Sequence, residues 1–228
     1  MSWTAADLLK RFAVYGRFYR ASFNGQPCEL RSHLEIFEPE IGWPDACAAD
    51  ADLVAVMMNP GASRPTGPLN SDGWAPAIPD RTQYQLMKLA LNAREKGVVI
   101  RHIRVINLSD LRTPKSTELF AALDRLSDDG HSLFSKRRES ELRRALGPGH
   151  VPVLRAWGLA APLEPLAGLC VSATARRRVL GLTDDGLLYR HPLPQRADLQ
   201  LAWLERVGAQ IAELPRAPVG ALARKIEQ

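Results

Sequence analysis

The sequence predicts an α/β fold: a three-layer α/β/α arrangement with a mainly parallel, four-stranded central sheet, plus an N-terminal β-hairpin. Three observations predict it. Leu53-Val-Ala-Val-Met-Met58 is an uninterrupted apolar run, which suits a strand buried on both faces, because a half-exposed strand would alternate. Apolar and β-branched runs then alternate with segments of helical period, a pattern that implies parallel pairing through right-handed crossovers. Asn24-Gly25 lies between two apolar-rich segments and is the strongest short-range hairpin signal.

In order, residues 2–11 read as a short amphipathic helix with Leu8, Leu9 and Phe12 on one side. Residues 14–23 and 28–37 are the two hairpin strands, expected at the edge of the main sheet. After the central strand, residues 62–79 carry Pro65, Pro68, Pro76, Pro79, Gly67 and Gly73. That predicts a long loop, of the kind compact domains keep for binding. Asp80 is a natural N-cap for a helix running to Lys96, with Gly97 as its stop. Residues 98–108 form the next strand, 135–146 a basic helix, 151–156 a third strand and 159–169 a helix. Residues 187–190 read as a fourth short strand and 195–214 as a terminal amphipathic helix. The whole chain, 1–228, is expected to be one domain: an N-terminal helix and hairpin (1–50), an α/β core (51–195), and a C-terminal helix and tail (196–228).

Composition narrows the classes. Hydrophobic residues make up 46% and charged residues 24%, an ordinary globular balance. The formal net charge of +5 permits an anionic partner without demanding one. Cys28, Cys47 and Cys170 form no CxxC pair, so neither a disulfide framework nor a zinc site is expected. No apolar run approaches the ~20 residues needed to span a bilayer, and the first residues do not read as a signal peptide. The expectation is a cytoplasmic protein without membrane association, metal or cofactor. The oligomeric state is left open.

Chemistry is expected where the strands end. The central run stops at Asn59-Pro60-Gly61, followed by Ser63 and Arg64. These are also ordinary turn residues, so the turn alone requires no ligand. Yet Asn107 with Arg112, Trp157-Gly158 and His191-Pro192 also follow apolar strands. If the strands are parallel, all face one crevice. Dinucleotide, P-loop and GxSxG signatures are missing. What remains is two carboxamides, a histidine and arginines. Asn offers a donor and an acceptor together, and a histidine can stabilise a developing anion. Such a set suits recognition of a planar heterocycle. Trp74 is either an anchor packed on the core or a ligand-facing ring.

These residues carry a resemblance. Val56-Met-Met-Asn-Pro-Gly61, Val105-Ile-Asn-Leu-Ser-Asp-Leu-Arg-Thr-Pro114, Val153-Leu-Arg-Ala-Trp-Gly158 and Tyr189-Arg-His-Pro192 resemble, in order, the strand-end motifs of the uracil-DNA glycosylase superfamily. Met57-Met-Asn-Pro60, Asp80-Arg-Thr82, Ile106-Asn-Leu with Arg112, Trp157-Gly158 and His191-Pro-Leu193 are similar to the pattern of the family designated DUF1643, over roughly residues 50–195. The resemblance implies an extruded base, read at its hydrogen-bonding edge and stacked on an aromatic ring. Asn107 would read the base, His191 would stabilise the departing base anion, and Asn59 would hold the attacking water. Pro60, Gly61, Ser63 and Trp157 would shape the pocket. Trp74 would offer a stacking face, and Arg112 would meet phosphate. Two departures stand out. Asn59 replaces the carboxylate often found in the first motif and cannot act as a base. Leu193 replaces a serine. Asp80 as a helix cap and Asp110 as a turn residue account for the nearby carboxylates.

The expected function is therefore that of a glycosylase-like protein binding a nucleobase, nucleotide or DNA, with hydrolysis of an N-glycosidic bond left open. Two alternatives stand beside it: a non-catalytic nucleotide or small-ligand binding module, and a partner-binding scaffold that uses the proline-rich loop.

Overall fold

The computed structural model describes residues 3–126 and 129–214. Eight strands form one mixed sheet, with β1 at Ala13–Phe23, β2 at Gln26–Phe37, β3 at Leu53–Met57, β4 at Arg64–Pro65, β5 at Trp74–Ile78, β6 at His102–Asn107, β7 at Val153–Arg155 and β8 at Val179–Leu180. Their spatial order is β4-β5-β1-β2-β6-β3-β7-β8. The four strands from β6 to β8 pair parallel, and the four from β4 to β2 pair antiparallel, with β2 joining β6 antiparallel. The expected four-stranded, mainly parallel sheet is thus corrected to a mixed sheet of eight. The α/β class holds.

The hairpin is the reason. Asn24 and Gly25 both take positive φ, 50° and 76°, the geometry of a tight two-residue turn. Its strands are 11 and 12 residues long. Strands of that length do not sit as an appendage. β2 extends the parallel strands, and β1 accepts β5 on its other side.

β5 comes from residues 62–79, where a structureless loop was expected. Asn70 starts it, its side-chain oxygen accepting from the Asp72 and Trp74 amides at 3.0 and 2.8 Å. Gly73 lies against Phe18, whose amide donates to the Gly73 carbonyl at 2.8 Å. A Cβ on Gly73 would stand 2.6 Å from the Phe18 carbonyl oxygen, so the close approach of the two strands requires glycine there.

Two apolar cores flank the sheet. One gathers residues of α1 (Ala5–Leu9), α3 (Arg81–Glu95) and α7 (Ala197–Ala212) with Leu53, Ala55, Ile103, Val105, Leu34 and Ile36. The other gathers residues of α4 (Ser116–Arg125), α5 (Glu139–Leu146) and α6 (Glu164–Ala173) with Val54, Val56 and Ile106. The alternation along β3 assigns its side chains to the two cores in turn, which is why its sequence shows no polar face. A short helix, α2 (Asp45–Ala48), precedes β3.

The fourth parallel strand is Val179–Leu180 and not residues 187–190. There the Asp185 carboxylate accepts from the Leu187 and Leu188 amides, both at 2.8 Å. Tyr189 forms only isolated bridges, to Gly158 and Thr183. Local side-chain bonds satisfy the backbone that a ladder would otherwise pair. The predicted tail beyond residue 214 lies outside the described residues. No helix among them is long and apolar enough to cross a membrane.

Candidate functional site

Among the parallel strands, chain order reverses around β3: β6, the next of them in sequence, lies on one side and β7 on the other. Such a switch point opens a crevice at the strand carboxyl ends, where ligands of open α/β sheets bind. A cavity of about 330 Å³ lies at this rim, lined by Asn59, Gly61, Asp80, Asn107, His191 and Arg31 among others. That is the small end of ligand sites, about 300–1,000 Å³.

Of the residues named from sequence, Asn59, Gly61, Asn107 and His191 meet in this cavity. Asn107 ends β6, beside Met57 of β3. It is fully buried, and neither its side-chain nitrogen nor its oxygen has a partner among the described residues. Both halves of the carboxamide are available to one planar edge.

Asn59 is more committed. Its amide nitrogen donates to the Thr113 carbonyl at 2.8 Å, the Thr113 hydroxyl at 3.0 Å and the Leu111 carbonyl at 3.1 Å. It clamps the loop that follows β6, leaving its oxygen as the group to hold a ligand or water.

His191 owes its place to the segment before it rather than to a strand. The Gly158 amide donates to the Tyr189 carbonyl at 2.7 Å, the Arg190 amide to Leu182 at 2.7 Å, and the Trp203 indole to the Arg190 carbonyl at 3.1 Å. The His191 Nδ1 accepts from the Leu193 amide at 3.2 Å. That bond assigns the ring proton to Nε2. Burial lowers the histidine's pKa below its ordinary value, so the ring is a neutral donor at pH 7.

The other named residues stand outside the cavity wall. Arg112 donates to the Glu29 carboxylate at 2.7 Å and the Ser63 carbonyl at 3.1 Å, and its guanidinium lies 5.4 Å from the Phe18 ring centre. It ties the post-β6 loop to β2 and is not a free phosphate contact. Trp74 packs on Trp43 and His33 in an aromatic cluster. Trp157 is buried and packs edge-on against Tyr189 at 5.2 Å, so it supports the segment that carries His191. Ser63 and Pro60 are buried beside the turn without lining the cavity.

Two residues complete the site. Asp80 does cap α3, with Oδ1 accepting from the Thr82 and Gln83 amides at 2.8 and 3.1 Å, yet it also lines the cavity. Its carboxylate stands beside the Asn59-Pro60-Gly61 turn. Gly61, at φ +62°, makes room for it: a Cβ there would lie 2.9 Å from Asp80 Oδ2. Gly61→Ala therefore combines a left-handed backbone with a displaced carboxylate. A loss of about 1–2 kcal/mol is expected, read as a lower urea midpoint at unchanged slope.

Arg31 enters through a bulge. Arg17 pairs with His33 and Phe18 with Arg31, so Ser32 is an extra residue in β2. The insertion shifts the side-chain alternation. Arg31 falls on the face of Leu34 and Ile36, in the cavity with Asn107, while Ser32 lines a second cavity of about 480 Å³. In that second cavity Arg138 is paired: it donates to Glu141 at 2.8 Å and to the buried Asp110 at 2.6 Å. Asp110 also accepts from the Tyr19 hydroxyl at 2.8 Å. Burial pushes its pKa up to about 6 against those partners. No cluster of three or more metal-ligating side chains occurs among the described residues.

Compared with family models, curated proteins and solved structures, the chain matches none. The site is therefore read from its own geometry.

Proposed function

We propose that this chain is a glycosylase-like protein that binds a nucleobase at the carboxyl ends of β3 and β6, as a free base, in a nucleotide or in DNA. The observation that carries the reading is the convergence of Asn59, Asn107 and His191, distant in sequence, on one cavity. Asn107 reads the donor–acceptor edge of the ring. The neutral His191, a donor through Nε2, faces the oxygen on which charge develops as the base leaves. Asp80 and the Asn59 oxygen hold and activate the water. The crossover order of the parallel strands and the apolar cores on both faces are consistent with the uracil-DNA glycosylase-like and DUF1643 resemblance. That likeness is an analogy of fold and does not assign the reaction.

The test is release of free base from oligonucleotides containing uracil, mismatched or damaged bases, with Asn107→Ala as the partner variant. The expected outcome is release that falls by about 10²-fold or more when Asn107 is truncated. A full panel without release, together with unchanged affinity in Asn107→Ala, would sink the reading.

The commitment of the Asn59 amide to the Thr113 loop favours a second reading, a binding module without turnover. It is distinguished by a nucleoside or base that raises the melting temperature while no base is released. A partner-binding scaffold predicts no thermal shift with any of these ligands.

A further inference from the structure

Arg31 is 1% exposed, and among the described residues its Nε and Nη1 have no hydrogen-bond partner. Among the described residues no carboxylate forms an ion pair with it. Asp80 and Asp110 act on it only through space, and burial brings its pKa down to about 10. The guanidinium therefore stays charged at neutral pH. A buried, unpaired arginine is costly, and it sits in the same wall as Asn107, whose two polar atoms are also unpartnered.

Ligand chemistry follows from these three groups. The Asn107 oxygen needs a donor, and the Asn107 nitrogen needs an acceptor. Arg31, a planar fork of donors, is best satisfied by two coplanar oxygens that carry negative charge. A neutral base would satisfy Asn107 and leave the Arg31 charge uncompensated. An inorganic oxyanion would satisfy Arg31 but offer no donor to Asn107. The lining adds two arginines, Arg31 and Arg81, against one aspartate, Asp80, which favours an anion.

We propose that the cavity takes a planar heterocycle that has an amide edge for Asn107 and an anionic substituent, such as a ring carboxylate, for Arg31. The proposal rests on the nucleobase reading above and narrows it to an anionic base. Arg31 is then a specificity-determining residue, contributed by the antiparallel half of the sheet.

The test is calorimetric titration of the full chain with uracil, uracil-6-carboxylate and inorganic phosphate, repeated on R31Q and R31M. The wild type is expected to bind the carboxylate at least about ten-fold tighter than uracil, as a charge-assisted bidentate contact implies. In both variants that ratio is expected to fall to about one, with uracil binding retained. Equal binding of uracil and its carboxylate by the wild type overturns the Arg31 assignment and leaves the nucleobase reading standing. A preference that survives in R31Q and R31M overturns it as well. Phosphate binding as tightly as the uracil carboxylate overturns the requirement for a heterocycle. Failure of all three probes to bind the wild type overturns this inference, while the nucleobase reading is decided separately by the base-release panel above. Circular dichroism of both variants confirms folding, and two different replacements of the charge keep the test decisive if one of them misfolds.

Discussion

Glu35→Ala is expected to destabilise the protein by about 3–5 kcal/mol, the usual result of removing one partner from a buried ionic cluster. Glu35 is 1% exposed. Its two oxygens take His102 Nε2–H and Arg104 Nε–H, each at 2.7 Å. Arg104 is held further by the Ala49 carbonyl at 3.1 Å. Without Glu35, a guanidinium and an imidazole remain buried at the β2–β6 junction, where the antiparallel and parallel halves of the sheet meet. At ~2–4 °C per kcal/mol for a domain of this size, calorimetry should record a fall of roughly 6–20 °C. A fall of less than ~2 °C would show that the cluster is not what holds the two halves together.

The same cluster predicts a pH dependence. Burial alone would raise the Glu35 pKa, but the His102 and Arg104 contacts outweigh it and hold the group below its ordinary value near 4.5. The unfolded chain therefore takes up this proton more readily than the folded one. The contribution of Glu35 is complete above about pH 4.5 and is lost as pH falls through the lower, folded-state value. Denaturant midpoints measured from pH 7 to pH 3 should decline more steeply in the wild type than in Glu35→Ala.

Arg31→Met is expected to act in the opposite direction. It removes an unpaired buried charge from a wall that also contains Met57, Leu86 and Val105, and replaces it with a flexible apolar side chain of similar reach. Replacement of buried ionic groups by apolar ones is often stabilising by about 1–4 kcal/mol, and the urea midpoint should rise accordingly. A residue that costs stability where it stands, and gives it back when removed, is the pattern of a functional site. If Arg31→Met were instead destabilising by more than about 1 kcal/mol, the guanidinium would have to be a packing element, and its role toward a ligand would be unnecessary.

The bulge at Ser32 links these effects. It turns Arg31 toward the Asn107 cavity and Ser32 toward the cavity of Tyr19, Arg138 and Glu141. One inserted residue in β2 thereby furnishes both faces of the sheet with a polar group. Period-two counting along 28–37 cannot register such an insertion, because the pattern is readable only against the partner strand.

That distinction runs through the molecule. Features set by local chemistry are legible in the sequence: the β3 run that feeds both cores, the Asn24-Gly25 turn, the Asp80 cap, and the polar residues that close β3 and β6. Each depends on a few adjacent residues and on backbone preferences that act wherever they occur. Pairing and register were decided by the tertiary structure. The hairpin became the middle of an eight-stranded sheet because its long strands had unpaired edges, which β5 and β6 occupy. Residues 187–190 lost their place in the sheet to Val179–Leu180, with Asp185 binding the Leu187 and Leu188 amides. Trp74, Trp157 and Arg112 proved to be packing and clamping residues, since contacts from distant segments had already claimed them. The sequence by itself determined that two amides stand where β3 and β6 end. Only the fold decided that Arg31 and Asp80 stand with them, because two charged groups from separate strands and helices become neighbours only when long-range packing brings them there.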